Sequence, residues 1–435
     1  MCMNSHSKKA GLLSVIFMGL GQLYNRQYIK GGFFALIELG YIIFLAPYTV
    51  NSIRGLVTLG STPQKMVKGR IIQGDHSIFL MVFGIISLIV LFMFIVFYII
   101  NVRDAMRVGK NRDNGLDSNS VIISLRNLSE KGFPYILLTP AVVFTLFLTV
   151  VPLTFGVMIA FTNYSSPNHL PPRSLVDWVG FQNFINLFKL PSLGKTFAGV
   201  ALWTISWAIL STLSTFLVGL VFAVIINANK IALKKFWRSI FILPWAVPGF
   251  ISILVMRNMF NGQFGPINKY LTAIGMAPVP WLAEPMWARI TCLLVNLWLG
   301  FPYYMAMMSG VLTGIPRDLY EAASIEGASA FQKFRKITLP LVLFATAPLV
   351  INGFAYNFNN FTLIYLLTSG NPTNNEYFYA GNTDILLSWL YKLTLEQNQF
   401  HMAAVVSIIV FVFIASISAF NYMNTKSFRE EDMVQ

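Results

Sequence analysis

The chain has 435 residues, 56% of them hydrophobic and only 11% charged, with a mean hydropathy of +0.64. Soluble domains carry about 25% charged residues, so an ordinary cytosolic enzyme and a disordered chain are both excluded. The net charge of +14 would suit a nucleic-acid binder, but the cations fall in short connections between apolar runs of membrane-spanning length, which points to lipid and away from nucleic acid. Cys2 and Cys292 offer no disulfide framework, no lipobox precedes Cys2, and no cleavable leader is evident around Lys8-Lys9.

Taken in order, residues 12–23 are too short to span and read as an interfacial or re-entrant piece, within the run GLGQLYNRQYIKGG that ends at Gly32. Residues 33–50 form a short first span containing Glu38. An acid at that depth faces protein and finds a partner, and a structural hydrogen bond is the simpler account. Residues 77–100 are the second span. Residues 103–131, with six Lys/Arg, read as a cytoplasmic linker closing an N-terminal accessory region of residues 1–133.

Residues 134–161 are the third span, and 163–196 a polar connection in which residues 178–184 fit a short interfacial helix. Residues 200–226 are the fourth span, followed by a turn with Lys230, Lys234, Lys235 and Arg238. The fifth, 240–256, is broken by Pro244 and Pro248. An external loop, 258–288, leads to the sixth span, 290–312, interrupted at Gly300 and Pro302. The polar segment 313–340 precedes the seventh span, 341–367. A polar external loop, 368–400, precedes the eighth, 402–423, and a tail of residues 426–435 closes the chain.

With both termini inside, 20 of the 31 Lys/Arg lie on the cytoplasmic side and 11 outside, as the positive-inside rule requires. The exception is the loop 51–76, with Arg54, Lys65, Lys68 and Arg70 outside. Should residues 12–23 span after all, only the N-terminus changes side, and the last six spans are unaffected.

The stretch EAASIEGASAFQKFRKITLP, residues 321–340, is polar, basic and rich in small residues. Pro316 suits the start of a helix over 317–325 that stops near Gly327. Ser329 through Gln332 reads as a capping box, and Pro340 as the residue that closes or kinks the second helix. Alone, this could be an amphipathic interfacial helix with alanine packing. Yet the spacing of Glu321-Ala322-Ala323, Gly327 and Ile337-Thr338-Leu339-Pro340 resembles the EAA motif of bacterial ABC importer permeases, the binding-protein-dependent transport permease family. The resemblance implies a cytoplasmic coupling helix seated in a cleft of an ATPase subunit, with Glu321 and Gly327 at the positions the motif fixes.

Polar residues also recur inside two spans. Gly353, Tyr356, Asn357 and Asn360 fall at i, i+3, i+4, i+7, and Asn296, Leu299, Gly300 and Tyr303 repeat the spacing. Such asparagines glue helices together or line a wet cavity. An amide beside an aromatic plane and a flattening glycine would suit a neutral sugar. Asn352 and Asn359, off that face, are assigned to packing.

Residues 242–254, 294–305 and 353–368 are similar to the larger permease subunit of maltose/maltodextrin importers. That resemblance implies a mid-membrane sugar site made by Trp245, Asn296, Leu299, Gly300, Tyr303, Gly353, Tyr356, Asn357 and Asn360. Enteric relatives carry Tyr at position 245 and Ser at 353, and a large folded domain after the third span where this chain has a short loop. The resemblance further implies an all-α fold of eight spans, residues 134–425 forming a type I (MetI-like) permease core in a bacterial cell membrane. The implied partners are a second permease subunit, a homodimeric ATPase holding Mg-ATP, and an extracellular, lipid-anchored solute-binding protein that delivers maltodextrin.

Other chemistry finds little support. Gly194-Lys195-Thr196 lacks the first glycine of a phosphate loop, Lys189 standing in its place, so ATP and any other cofactor are expected on a partner and not on this chain. HExxH and GxSxG motifs are absent, and His6, His76, His169 and His401 are too scattered for a metal site. Two rivals stay open: the same machine carrying another neutral oligosaccharide, and an ion-coupled transporter, which would need intramembrane carboxylates where only Glu38 is available.

Overall fold

The computed structural model describes residues 5–67, 70–116, 132–170, 172–228 and 231–423. Among them, seven helices are long and apolar enough to cross a membrane, and a bent helix pair makes an eighth if its two halves count as one span. The chain divides into two compact units, residues 1–180 and 181–435.

The first unit contains α1 (Ser5–Ile16), α2 (Leu20–Tyr24), α3 (Tyr28–Thr58), α4 (Ser77–Asp113) and α5 (Phe133–Ile159). A hairpin of β1 (Lys65–Val67) and β2 (Arg70–Ile72) joins α3 to α4. At 12 residues, α1 is about 18 Å long, well short of a bilayer. It packs instead on the last turns of α4, where the Asp113 carboxylate accepts the backbone N–H groups of His6 and Ser7 at 3.1 Å each. Gln22 and Asn25, both fully buried, donate to the carbonyls of Asn101 and Ala105, and Lys30 pairs with Asp104 at 2.7 Å. Residues 103–113 are thus helix and not linker, because α4 is prolonged to hold α1. Residues 117–131 of the expected linker lie outside the described residues.

Glu38 is buried and accepts the backbone N–H of Met18 at the break before α2, the structural hydrogen bond expected of it. On the far side, Asp75 accepts the backbone N–H groups of Ser61 and Thr62 and the Thr62 hydroxyl. Those donors favour the carboxylate and hold its pKa below the ordinary 3.8, so the turn is firm at neutral pH and loosens only in strong acid. The interfacial helix expected at 178–184 lies instead at Gln182–Lys189. Trp178 is held in a bridge to Thr162, and Gly180, at φ +57°, ends the extended run before a helix can begin.

In the second unit that helix is α6. It is followed by α7 (Pro191–Asn227), α8 (Lys234–Ile242, prolonged by a tight turn to Trp245) and α9 (Gly249–Met259). Next come α10 (Pro266–Ala273), α11 (Pro285–Gly314), α12 (Arg317–Ile325) and α13 (Ala330–Phe358). Last are α14 (Phe361–Thr368), α15 (Leu386–Tyr391) and α16 (Phe400–Met423). The core forms around α7. Gly219 lets the backbone of α11 approach so closely that a Cβ there would lie 2.6 Å from the Tyr304 Cβ. Trp203 and Trp207 pack with Cys292, Val295 and Leu363 at one end, and Phe216 with Tyr304, Met308 and Val342 at the other.

The prolines follow expectation in one span and depart from it in two. The fifth span does break at Pro244 and Pro248, and its halves meet at 86°. The sixth runs unbroken through Gly300 and Pro302, because neighbouring helices pack against the helix where its backbone bond is lost. The seventh starts earlier than expected. Its helix passes through Pro340 by way of a widened turn at Phe334–Thr338, where the Leu339 N–H reaches back to the Phe334 carbonyl and makes room for the ring. It then breaks at Asn359-Asn360, before α14. The external segment 368–400 is folded: the fully buried Asp384 carboxylate accepts the Gly381 N–H, the Ser388 hydroxyl and the Lys392 ammonium, each at 2.7 Å.

Candidate functional site

A cavity of about 770 Å³ opens within the second unit. The bend between α8 and α9 supplies Trp245, Pro248 and Phe250 to its wall. From α11 come Asn296, Leu299, Gly300, Tyr303 and Tyr304, and from α13 Asn352, Gly353, Tyr356 and Asn357. Asn360 and Thr362 complete it. All nine residues named from the sequence therefore meet at one site, and among the described residues no charged side chain lines it.

The bend aims Trp245 inward, because a chain that turned less at Pro244 and Pro248 would carry the ring past the cavity. Its indole N–H donates to the Leu299 carbonyl at 3.3 Å, and its ring lies 6.0 Å from that of Tyr303. Trp245, Tyr303 and Tyr356 remain 50%, 43% and 71% exposed, so their faces are free to stack on a ligand. Asn296 and Asn357 are buried. The Asn360 amide nitrogen donates to Asn296 Oδ1 at 3.3 Å, joining the two polar stripes. Asn357 donates to the Thr212 hydroxyl at 3.0 Å, and its carbonyl accepts the Trp207 indole N–H. Asn357 is thus helix glue and cavity wall together.

Four expectations change in detail. Asn360 is not the fourth residue of a continuous helical stripe; it caps α14, accepting the Leu363 N–H. Gly300 serves helix approach, since a Cβ there would lie 2.7 Å from Thr215 Cγ2. The space beside Gly353 is filled by the Tyr304 hydroxyl. Asn352, assigned to packing, is exposed in the cavity wall. Tyr304 and Phe250 carried no signal in the sequence, because an aromatic residue in an apolar run looks like core.

The second candidate site is the polar segment before α13. Helix α12 spans Arg317–Ile325 as expected, with Pro316 just outside as its N-cap. Gly327, at φ +77°, turns the chain so that the Ala328 N–H reaches the Ala323 carbonyl and its own N–H reaches that of Ser324. This is the left-handed helix ending that glycine permits. Ser329 and Gln332 form the expected capping box. Tyr320 to Thr338 and Lys333 to Ser324 tie α12 to the start of α13 at 2.9 and 2.6 Å. The outer face stays bare: Glu321 and Ala322 are exposed, and Ile325 and Phe331 are 88% and 68% exposed.

The family model described as binding-protein-dependent transport system inner membrane component matches residues 215–430. The chain is 40% identical to the galactooligosaccharides transport system permease protein GanP of Bacillus subtilis (strain 168), over 98% of this chain and 99% of that protein. It is 38% identical to the maltodextrin transport system permease protein MdxF of the same organism, over 99% of this chain and the whole of that one. Among solved structures, a bacterial ABC transporter involved in importing the acidic polysaccharide alginate superposes with a TM-score of 0.56. The identity is 22%, over 69% of this chain and 99% of that one, a likeness of fold alone. Full-length identity of this order, together with the spans, settles the class: the chain belongs to the binding-protein-dependent transport permeases, a multi-pass membrane subunit of an ABC importer and not itself an enzyme.

Proposed function

We propose that the cavity carries a neutral oligosaccharide, maltodextrin foremost, between an extracellular solute-binding protein and the cytosol. The observation that carries this reading is the lining itself: neutral amides and exposed aromatic rings around about 770 Å³ with no charge. Amides match sugar hydroxyls, the rings match the apolar faces of pyranoses, and the volume lies in the usual range for small-molecule sites. In this reading a second permease subunit closes the open side, and two copies of an ATPase bind Mg-ATP below. The bare face of α12, with Glu321, Ala322, Ala323 and Gly327, sits in the ATPase, while Ile337, Leu339 and Pro340 root it in α13. Closure of the ATPase dimer moves α12 and α13 together, because Tyr320–Thr338 and Lys333–Ser324 hold them as one body. We assign residues 134–425 to the permease core and 1–133 to an accessory region. A lipid-anchored binding protein suits the short connection at 163–181.

The similarity to a galactooligosaccharide permease favours a second reading, a galactooligosaccharide in the same cavity. Uptake of labelled maltotriose and of a labelled galactotriose by the reconstituted importer separates the two. Tyr356→Ala tests both, since a ring 71% exposed contributes little to folding. Losing one stacking surface should lower sugar affinity about tenfold with the melting temperature unchanged. Unchanged uptake would remove the cavity from the sugar path.

A further inference from the structure

The geometry points to Tyr304 as a specificity-determining residue that offers its hydroxyl to the bound sugar, an inference resting on the reading of the cavity as a sugar site. Tyr304 is 5% exposed, and its ring is fixed edge-on against Phe216 and Tyr303, with centroids 5.8 and 5.2 Å away. Such a ring has one orientation. Its hydroxyl reaches the cavity wall and makes no hydrogen bond to any described residue, nor is it among the sealed polar atoms left without a partner. A phenylalanine would pack the same core equally well. A hydroxyl held at the end of a rigid ring, with no protein partner and open to the cavity, has its partner in the ligand or in the water the ligand displaces.

Gly353 makes this possible. A Cβ at position 353 would overlap the Tyr304 oxygen, so the hydroxyl occupies the space of the missing side chain. The two positions form one unit, in which a single hydroxyl can be supplied from either side. Take the oxygen from Tyr304, and the nearest atoms to a Cβ at 353 become the ring carbon at 3.3 Å and Thr212 Cγ2 at 3.5 Å, so a small side chain enters once the ring yields by a few tenths of an ångström. A site built to bond a ligand hydroxyl rejects a sugar without it, because its own polar group is then left unpaired.

The experiment uses the complete importer in proteoliposomes with radiolabelled maltotriose as the probe. Variants are Tyr304→Phe, the double variant Tyr304→Phe with Gly353→Ser, and Tyr356→Ala as a marker of the cavity. Loss of one neutral hydrogen bond should raise the apparent KM about fivefold in Tyr304→Phe. The melting temperature and the ATPase stimulation by the binding protein should not change, and the added serine should restore most of the affinity. Wild-type KM in Tyr304→Phe, with KM raised in Tyr356→Ala, would overturn the role of Tyr304 while leaving the cavity as the sugar path. A raised KM with a lowered melting temperature and no rescue by serine would make Tyr304 structural and also overturn it. Normal uptake in every variant would remove both this role and the sugar site.

Discussion

One glycine shows how a single residue decides what the polar segment before α13 can be. Gly327 holds φ +77° with nothing within 4 Å of where a side chain would start, so the demand on it is conformational and not steric. Gly327→Ala forces a Cβ into the left-handed region at about 1 kcal/mol, and the α12 ending that depends on it frays. ATPase activity of the whole complex should then lose its response to the binding protein while membrane insertion, read by protease protection, is unchanged. Eight of the nine cavity residues stood out in the sequence because amides and glycines at helical spacing in hydrocarbon demand an explanation, whereas Trp245 and the grouping of all nine into one site came only with the resemblance to the larger maltose/maltodextrin permease subunit. Asn352 was not, since one step off a stripe means little until the wall of α13 is seen to be open. Tyr304 was hidden by chemistry: its ring satisfies the core, and only coordinates reveal where the oxygen ends.

At the level of elements, α12 and the start of α13 behave as one short lever. Their mutual hydrogen bonds are local, so caps and turn residues in the sequence sufficed to place α12 at Arg317–Ile325 and the second cap at Ser329. Continuity through Pro340 was not legible, because a widened turn depends on the whole helix being held by its neighbours. Glu321→Lys reverses a charge on the bare face without touching any internal bond. It should abolish transport and copurification with the ATPase while the chain still inserts, and normal uptake by this variant would exclude α12 as the docking element. The prolonged α4 makes a parallel case. The value of Asp104 and Asp113 lies in partners 74 to 107 residues away in sequence, at Lys30, His6 and Ser7, which no local pattern announces.

For the molecule as a whole, charge and hydropathy fixed the order of crossings, and the structure corrected mainly where helices begin, bend and end. The topology predicts opposite accessibility for two exposed positions. In a Cys2→Ser background, a cysteine at Glu326 should react with an impermeant maleimide only from the cytoplasmic side, and one at Asn375 only from outside. Labelling of both from one side would invert the assignment. The segment expected outside, 368–400, is no loose tether. Asp384 has no exposed side-chain surface and Lys392 little, and breaking one charge away from the other would strand an ion without water. Segment 368–400 is therefore expected to resist deformation around this pair, and Lys392→Ala should lower the melting temperature of the chain. A protein docking on that surface would meet a contour already set at folding, and its association rate is then expected to follow encounter more than rearrangement.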